Sequence, residues 1–391
     1  MKSLYIAWQY LRYNRSRSLV LVTCVTLIAF LPLALEVVLN ESERQLMDRA
    51  RTTPLLLGAR GSALDLVMNS LYFSDEVPEP VEFSAAEQLA DSSLAASIPL
   101  YVRFQARGFP VVGTTFDYFD FRGLHLAEGE YFLMLGECVL GAKVAQSLGL
   151  EAGDSLVTSP ETLFDLAGVY PLKMRVAGVL ETANTADDLG VFVDINTAWV
   201  IEGLAHGHED LAGVRDSSVI LGRGQDSVTA NAKLIQYREV TTENLDSFHF
   251  HGDTGRYPLT AAIAVPRDER AGAILRGRYV DGEQAGQIVE PVEVVDQLMD
   301  TIFRIRTVLD SIIAVVGLAT LLALFLVFAL SLRLRQREID TVFRLGGSRA
   351  TIVRLLAAEV GIIVSLAGIL CGLLLLLVAH FDEAIVRQFF V

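Results

Sequence analysis

The sequence predicts a membrane α-helical protein with three transmembrane helices, a large mixed α+β domain outside the cytoplasm, and a helical stalk. Three observations predict this fold class. The chain of 391 residues is 52% hydrophobic with a mean hydropathy of +0.42, which is higher than for an ordinary soluble enzyme. Three long apolar runs carry this excess. Between the first two runs, short strand and helix patterns are broken by glycine, aspartate and proline.

The first predicted span covers residues 19–39 and follows a short amphipathic segment, residues 1–18, which we expect to lie at the cytoplasmic membrane surface. At ~1.5 Å per residue, a helix of about 20 residues crosses a ~30 Å hydrocarbon core. A cleavable signal peptide also starts with basic residues, but its apolar run is usually about 7–15 residues long and ends at small residues. The sequence therefore favours a retained anchor.

Residues 40–308 form the predicted extracytoplasmic domain, which begins with a polar helical stalk. A strand, a glycine turn and a helix follow, and the helix places four apolar residues on one face: Leu64, Val67, Met68 and Leu71. Three further strand-like runs lie at residues 109–116, 174–180 and 190–195. Cys138 is the only cysteine of this region, so the domain is expected to fold without an internal disulfide.

The second predicted span, residues 309–332, continues from an amphipathic helix. Apolar residues follow alternating spacings of three and four, at Val295, Leu298, Ile302, Ile305, Leu309, Ile312 and Val316. This spacing is typical of a coiled-coil seam. Because no proline lies between Val292 and Ile312, stalk and span can form one continuous helix. The alternative is a core helix of the domain that ends at the membrane.

A basic loop, residues 333–359, leads to the third predicted span, residues 360–380, and to a tail, residues 381–391. The loop contains six arginines, and residues 1–18 contain four basic residues and no acid. The positive-inside rule therefore places both segments in the cytoplasm, and the large domain and the tail outside. Residues 19–332 carry 42 acidic and 21 basic residues, which argues against binding to nucleic acid.

The loop itself contains two helix-forming segments. The first ends at Gly346 and Gly347, and Ser348 is placed to cap the second, which runs into span three. The second segment has an apolar face at helical spacing, formed by Ile352, Leu355 and Leu356. A short amphipathic helix in the cytoplasm needs a protein partner for such a face.

The loop sequence RLRQREIDTVFRLGGSRATIVRLLAAE, residues 333–359, resembles the cytoplasmic loop of the MacB, FtsX and LolC/E permeases. In that family, an R-E-I-x-x-x-x-x-L-G-[AG]-[ST] stretch precedes a coupling helix that contacts a separate ATPase subunit. In the domain, ECVLGAKVAQSLGLEAGDSL is similar to the family's core-domain pattern of a strand, a helix ending in L-G-L and a G-D turn. MRVAGVLETANTADDLGVFVDINTAW resembles the next strands of that core domain.

This resemblance implies the permease subunit of an ABC transporter, a multi-pass protein of the bacterial inner membrane with a cytoplasmic N-terminus and a MacB-like periplasmic core domain. It implies mechanotransmission: ATP hydrolysis in a partner changes the shape of the periplasmic domain, for efflux or for lipoprotein or metal-related traffic. The implied partners are a cytoplasmic ABC ATPase, a second permease copy in a dimer, and a periplasmic protein or lipoprotein. The implied ATPase-coupling residues are Arg344, Leu345, Gly346, Gly347, Ser348, Ile352, Leu355 and Leu356.

The chain itself is expected not to be an enzyme and to hold no nucleotide cofactor. A phosphate-binding loop requires G-x-x-x-x-G-K-[ST], and none of the four lysines follows a glycine. ATP and Mg²⁺ are therefore expected on the partner subunit. The family commonly has four spans, whereas this sequence predicts three. The alternative function is a membrane-anchored periplasmic metal-binding or sensor protein without transport.

Two further patterns suggest local sites. Four of the six histidines form H-x-H pairs: His206 with His208, and His249 with His251. Alternate residues of a strand face the same side, so each pair can direct two imidazoles at a divalent ion such as zinc. The alternative is two unrelated surface pairs, because the sequence does not show that they meet. In span three, Gly368 and Gly372 form a small-x-x-x-small pattern that favours helix packing.

Overall fold

The computed structural model describes residues 2–159, 171–207, 220–223, 228–230, 238–280, 286–334 and 348–390, together with Gln336 and Arg344. The chain divides into two compact units. Met47–Gln297 form the domain unit, and Met1–Leu46 with Leu298–Phe390 form the helical unit.

The helices whose bounds are described are α1 (Lys2–Tyr13), α2 (Arg15–Arg51), α3 (Ala63–Tyr72), α4 (Phe83–Asp91), α5 (Phe116–Arg122), α6 (Ala142–Leu148), α7 (Ile195–Glu202), α8 (Glu269–Val280), α9 (Pro291–Leu334) and α10 (Arg349–Phe390). Short 3-10 segments lie at Ala186–Leu189, Leu245–Ser247 and Thr254–Arg256.

The strands of the same residues are β1 (Leu55–Ala59), β2 (Val81–Glu82), β3 (Ala95–Ala106), β4 (Phe109–Thr114), β5 (Leu126–Gly129), β6 (Glu137–Leu140), β7 (Ser155–Val157), β8 (Leu172–Leu180), β9 (Val191–Asp194), β10 (Ala205–Gly207), β11 (Ile220–Arg223), β12 (Val228–Ala230), β13 (Arg238–Glu239), β14 (Phe248–Phe250), β15 (Pro258–Leu259), β16 (Ala261–Pro266) and β17 (Gly286–Val289).

The long helices of the helical unit include two segments that are long and apolar enough to cross a membrane. These are Arg15–Val38 in α2 and Ala350–Val378 in α10, which correspond to the first and third predicted spans. Among the described residues of α9, the apolar stretch Asp310–Leu322 is shorter. The helix itself runs unbroken from Pro291 to Leu334, as the absence of an internal proline predicts. The second span stays a prediction.

Within the helical unit, α1 packs against α10. Leu11, Leu21 and Ile363 form a small buried cluster, and the Thr26 hydroxyl donates to the carbonyl of Ala367 at 3.4 Å. Many large apolar side chains of α9 remain exposed on the single chain: Val308, Ile312, Val315, Val316, Leu318, Leu321, Leu322, Phe325 and Leu326. An apolar surface of this extent needs lipid or another protein to cover it.

Within the described residues, the domain unit is built on one mixed sheet of eleven strands. Its main path is β13-β8-β6-β9-β4-β3-β16-β1-β17, and β5 and β7 also pair with β8. The strand-like runs that the sequence predicts at 109–116, 174–180 and 190–195 correspond to β4, β8 and β9. The domain is thus mixed α and β, as predicted.

The first helix of the domain, α3, differs from its predicted orientation. Val67 and Leu71 are buried as expected, but Leu64 is 36% exposed and Leu66 is buried in its place. Leu66 lies against Gly58 of β1, where a side chain would overlap the end of Leu66. The glycine leaves room for Leu66 against β1.

Candidate functional site

The last turn of α2 enters the domain through a buried ion pair between Arg49 and Asp187. Arg49 Nη1 donates to Asp187 Oδ2 at 2.6 Å, and Nη2 donates to Oδ1 at 2.8 Å. The side chains are only 7% and 2% exposed. A paired, two-point contact of this kind fixes both the position and the orientation of the guanidinium group. Asp187 lies in the 3-10 segment Ala186–Leu189.

Two other helices complete this Arg49 cluster. The Tyr118 hydroxyl of α5 donates to Asp187 Oδ1 at 2.7 Å and accepts from Arg49 Nη2 at 3.0 Å. Arg49 Nε donates to the carbonyl of Leu71 in α3, and the guanidinium lies 5.6 Å from the centre of the Phe73 ring. A single side chain of α2 therefore contacts three separate elements of the domain.

The charges of this cluster stabilise each other. Burial alone would raise the pKa of Asp187, but the Arg49 charge and its hydrogen bonds lower it to about 2. Burial alone would lower the pKa of Arg49, but Asp187 raises it above its ordinary value. Burial and the neighbouring Asp187 charge also raise the pKa of Tyr118. The pair is consequently ionised at neutral pH, with the phenol protonated between its members.

The carbonyl end of α2 is also held by side chains. The hydroxyls of Thr52 and Thr53 donate to the carbonyl of Arg49 at 2.9 and 3.0 Å. Arg122 of α5 donates to the Thr52 hydroxyl at 3.3 Å, and its guanidinium lies 5.7 Å from the centre of the Tyr118 ring. These contacts satisfy a helix-end carbonyl and place a second cation at a site where a helix dipole favours positive charge.

The sequence does not reveal this cluster, because its members are far apart in the chain. Arg49 and Asp187 are separated by 138 positions. In the stretch NESERQLMDRAR, Arg49 resembles the exposed charges around it. Asp187 lies in NTADDLG, which is typical of a surface turn. The only available signal is a pair of acids followed by Leu-Gly directly before the apolar strand β9.

The predicted ATPase-coupling residues are only partly described. Leu345, Gly346 and Gly347 lie outside the described residues, and Arg344 is helical and exposed. Ser348 precedes α10, and its hydroxyl accepts from the Thr351 N–H at 3.3 Å, which is a helix cap of the predicted kind. Three apolar residues of α10 are half-buried within the chain itself: Ile352, Leu355 and Leu356.

The predicted packing glycines lie on an open side of α10. Gly368 and Gly372 are exposed, and a side chain added at either position would meet no atom within 4 Å. Within the chain, α10 buries the neighbouring Ala367 and Cys371. Packing through the two glycines therefore remains a prediction that concerns another chain.

One histidine of each predicted pair lies in a short two-stranded ribbon. Strands β10 and β14 are antiparallel, and His206 lies opposite His249 in their register. The rings of His249 and His251 have centres 4.6 Å apart. His208 lies outside the described residues. Among the side chains that the structure describes, no group of three or more His, Cys, Asp or Glu could hold a metal ion.

Comparison with known families gives one match that covers just over half of the chain. Residues 36–237 match the family described as MacB-like periplasmic core domain. This range includes the last part of α2, the Arg49 cluster and most of the sheet. No curated protein matches the chain.

Two solved structures resemble the chain at low identity. The periplasmic region of MacB from Actinobacillus actinomycetemcomitans is 12% identical, with 66% of this chain and 97% of that chain covered and a TM-score of 0.35. The extracellular domain of the noncanonic ABC-type transporter YknZ from Gram-positive bacteria is also 12% identical, with 61% and 99% covered and a TM-score of 0.33.

Proposed function

Because the chain belongs to the family with a MacB-like periplasmic core domain, we propose that it is the transmembrane permease subunit of an ABC transporter of the MacB, FtsX and LolC/E type. In this proposal, a separate cytoplasmic ATPase binds and hydrolyses ATP, and this chain transmits the resulting movement to its periplasmic domain. The observation that carries the proposal is the family match over residues 36–237. The chain itself contributes no catalytic residue.

The continuity of the long helices supports this role. Helix α2 contains the apolar segment Arg15–Val38, with Pro32 inside it, and remains helical as far as Arg51. Helix α9 runs from Pro291, next to strand β17, to Leu334 at the start of the basic loop. Pro32 removes one backbone hydrogen bond of α2, whereas α9 has no proline in its interior. A continuous hydrogen-bonded helix such as α9 moves as one body, whereas a flexible linker would absorb the movement. Transmission needs such elements with two discrete arrangements.

The Arg49 cluster supplies the point where α2 would deliver its movement. Its contacts reach the 3-10 segment of Asp187, the α5 residue Tyr118 and the carbonyl of Leu71 in α3. Because each contact is buried and directional, a shift of the last turn of α2 cannot occur without a shift of these three elements. In the proposed cycle, ATP binding changes the position of α2, and this cluster passes the change to the sheet.

The contact with the ATPase is assigned to the basic loop and the first turns of α10. We expect Leu355→Asp and Gly347→Pro to lower the ATPase activity of the reconstituted complex, because the first charges the apolar face and the second disrupts the glycine turn. Ala350→Asp is the matched control, because Ala350 is exposed and an acid in the first turn of a helix is favourable. The measurement is ATP hydrolysis in lipid, with and without each variant permease.

Two outcomes would contradict this assignment. Wild-type ATPase stimulation by both Leu355→Asp and Gly347→Pro would exclude a coupling role for the loop. Failure of any ATPase subunit to co-purify with the full chain, under conditions that preserve membrane complexes, would instead support the membrane-anchored sensor. Thermal unfolding of each purified variant separates a lost contact from a lost fold.

A further inference from the structure

A cavity of about 480 Å³ lies in the domain unit at the carboxyl ends of two parallel strands. Strands β4 and β9 pair in parallel, and Thr114 lies opposite Asp194 where both strands end. Helix α5 begins at Phe116 after the first strand, and α7 begins at Ile195 after the second. In sheets with parallel strands, ligands commonly bind at this edge, and small-molecule sites usually have volumes of about 300–1,000 Å³.

Aromatic rings form a large part of the cavity wall. Four phenylalanines from separate parts of the domain line it: Phe116, Phe132, Phe248 and Phe250. The rings of Phe116 and Phe132 are stacked, with centres 5.1 Å apart and an angle of 28° between their planes. Phe248 and Phe250 are partly buried against the main hydrophobic cluster. Because Phe116 and the lining residue Leu133 are exposed, an apolar ligand would cover apolar surface that now meets water.

The loop that precedes β6 is fixed in position by hydrogen bonds. It lines the cavity with Leu133 and Met134, whose N–H groups donate to Glu137 Oε2 at 2.8 and 3.0 Å. The N–H of Gly136 donates to the hydroxyl of Thr197 in α7 at 3.1 Å. The wall is therefore formed before a ligand arrives, which reduces the ordering that binding must impose.

The polar part of the wall accepts hydrogen bonds. Of the lining residues that the structure describes, Asp194 is the one charged residue, and Asn196 is the one other polar residue. The N–H and Nδ2 of Asn196 donate to Asp194 Oδ1 at 2.9 and 2.7 Å. Within the described part of the chain, no hydrogen bond reaches Asp194 Oδ2 or Asn196 Oδ1. Both atoms are acceptors, and one carries negative charge, so the complementary group is a cationic donor.

We propose that this cavity binds a small organic amine with an aromatic or branched apolar body. Its ammonium group donates to Asp194 Oδ2 and Asn196 Oδ1, and its body lies between the phenylalanine rings, whose faces also favour a nearby cation. A lysine side chain of a protein offers the same ammonium group, but its linear chain would not fill a cavity lined by four rings. The proposal does not rest on the permease role, because binding needs neither ATP nor a partner subunit.

The test compares two probes with the same phenylbutyl body and opposite charge, phenylbutylammonium and phenylpentanoate. Each is titrated into the full chain in detergent in a calorimeter, with a detergent blank subtracted. Phenylbutylammonium should bind with a dissociation constant on the order of 100 μM or below and raise the unfolding temperature. Phenylpentanoate should bind about tenfold or more weakly, because it cannot donate to the free oxygens. Acetyl-lysine methylamide, which lacks the aromatic body, should also bind more weakly than phenylbutylammonium.

Variants separate the charge from the apolar wall. Asp194→Asn keeps a side chain that caps α7, so the fold is retained, but it should weaken phenylbutylammonium binding about tenfold or more and remove the preference over phenylpentanoate. Asn196→Ala tests the second acceptor and leaves the cap residue unchanged. Phe116→Ser should weaken both probes to a similar extent. Asp117→Asn is the matched control, because Asp117 is an exposed acid beside Phe116 that does not line the cavity.

Several results would overturn the proposal. Equal affinities for phenylbutylammonium and phenylpentanoate, or an unchanged preference in Asp194→Asn, would show that the carboxylate does not recognise the ligand. An equal loss in Asp117→Asn would indicate a general effect of surface charge. Tighter binding of acetyl-lysine methylamide than of phenylbutylammonium would assign the cavity to a protein partner instead. None of these outcomes bears on ATPase stimulation, which tests the permease role separately.

Discussion

Arg49 and Asp187 illustrate what a buried charge pair contributes at the scale of single residues. Removing two ions from water is costly, and their attraction roughly offsets that cost, so the pair adds little net stability compared with apolar residues of similar size. Its directional contacts instead specify one orientation of the last turn of α2. Lysine could not replace Arg49, because it lacks the planar fork that meets both carboxylate oxygens.

A mutant cycle tests this account. Asp187→Ala and Arg49→Met should each destabilise the domain by about 3–5 kcal/mol, because each leaves one buried charge without its partner. The double variant Arg49→Met with Asp187→Leu should be more stable than either single variant, because neither member of the pair is then left buried without its partner. The measurement is urea unfolding of the full chain in detergent, followed by tryptophan fluorescence. Trp199 is 2% exposed and reports on the domain, whereas Trp8 is already 47% exposed.

The same helix turn offers a control for that cycle. Arg51 and Asp48 form an ion pair at 3.9 Å whose side chains are 64% and 63% exposed. Exposed pairs contribute little to stability, so Arg51→Met should leave the unfolding curve nearly unchanged. Equal effects of Arg51→Met and Arg49→Met would show that the buried pair has no special role.

At the scale of elements, the 3-10 segment that carries Asp187 lies directly against the start of α6. A side chain at Gly141 would overlap the carbonyl oxygen of Asp187 and the backbone of Asp188. The N–H of Gly141 also donates to the carbonyl of Gly190 at 2.9 Å. The position of Asp187 therefore depends on a close backbone contact that only glycine permits.

Gly141→Ala should push this segment away and destabilise the domain by about 1–3 kcal/mol. The cause would be steric, because Gly141 has an ordinary φ of −62° that alanine adopts without strain. Gly61→Ala is the matched control, since no atom lies within 4 Å of its added methyl group. The measurement is thermal unfolding of both variants. Equal unfolding temperatures of Gly141→Ala and Gly61→Ala would contradict the proposed steric contact.

Several elements could be predicted from sequence because their pattern is local. The runs that form β4, β8 and β9 combine β-branched residues with flanking Gly, Pro or Asp, and Ser348 stands directly before a helical segment. Strand β3 is harder to predict, because it is buried along most of its length between β4 and β16 and shows no alternation.

The candidate sites also differ in whether a local sequence pattern reveals them. The H-x-H pairs are visible as short motifs, but only the β10–β14 register shows that His206 lies opposite His249. The Arg49 cluster has no motif, since its geometry depends on the path of the chain between α2 and the 3-10 segment. Local spacing can identify candidate ligands, whereas long-range pairing determines which of them meet.

At the scale of the whole molecule, the number of spans determines where the basic loop lies. If α9 crosses the membrane, the loop and the domain lie on opposite sides. Cysteine labelling in intact and permeabilised cells should show Leu133→Cys accessible from outside and Tyr5→Cys and Ser348→Cys accessible only from the cytoplasm. A cysteine added after Val391 should label from outside. These three natural residues are exposed, with Leu133 at 75% and Tyr5 at 65%.

The labelling requires a background without the native cysteines, Cys24, Cys138 and Cys371. Labelling of Ser348→Cys in intact cells would show that α9 does not cross, and the permease topology would be wrong. Cytoplasmic labelling of the added C-terminal cysteine would reject three spans while leaving the position of the loop unchanged.

The arrangement of β1 and β17 determines how the domain responds to mechanical load. The chain enters the sheet through β1 and leaves it through β17, and Leu56 lies opposite Val289 where these two antiparallel strands meet their flanking helices. The ladder bonds lie perpendicular to the strands. A force perpendicular to the strands, which pulls the end of α2 away from the start of α9, would therefore break these hydrogen bonds one after another. A force along the strands would load all of them together. A small lateral movement of either helix would first separate β17 from β1 and leave the interior strands of the sheet unstrained.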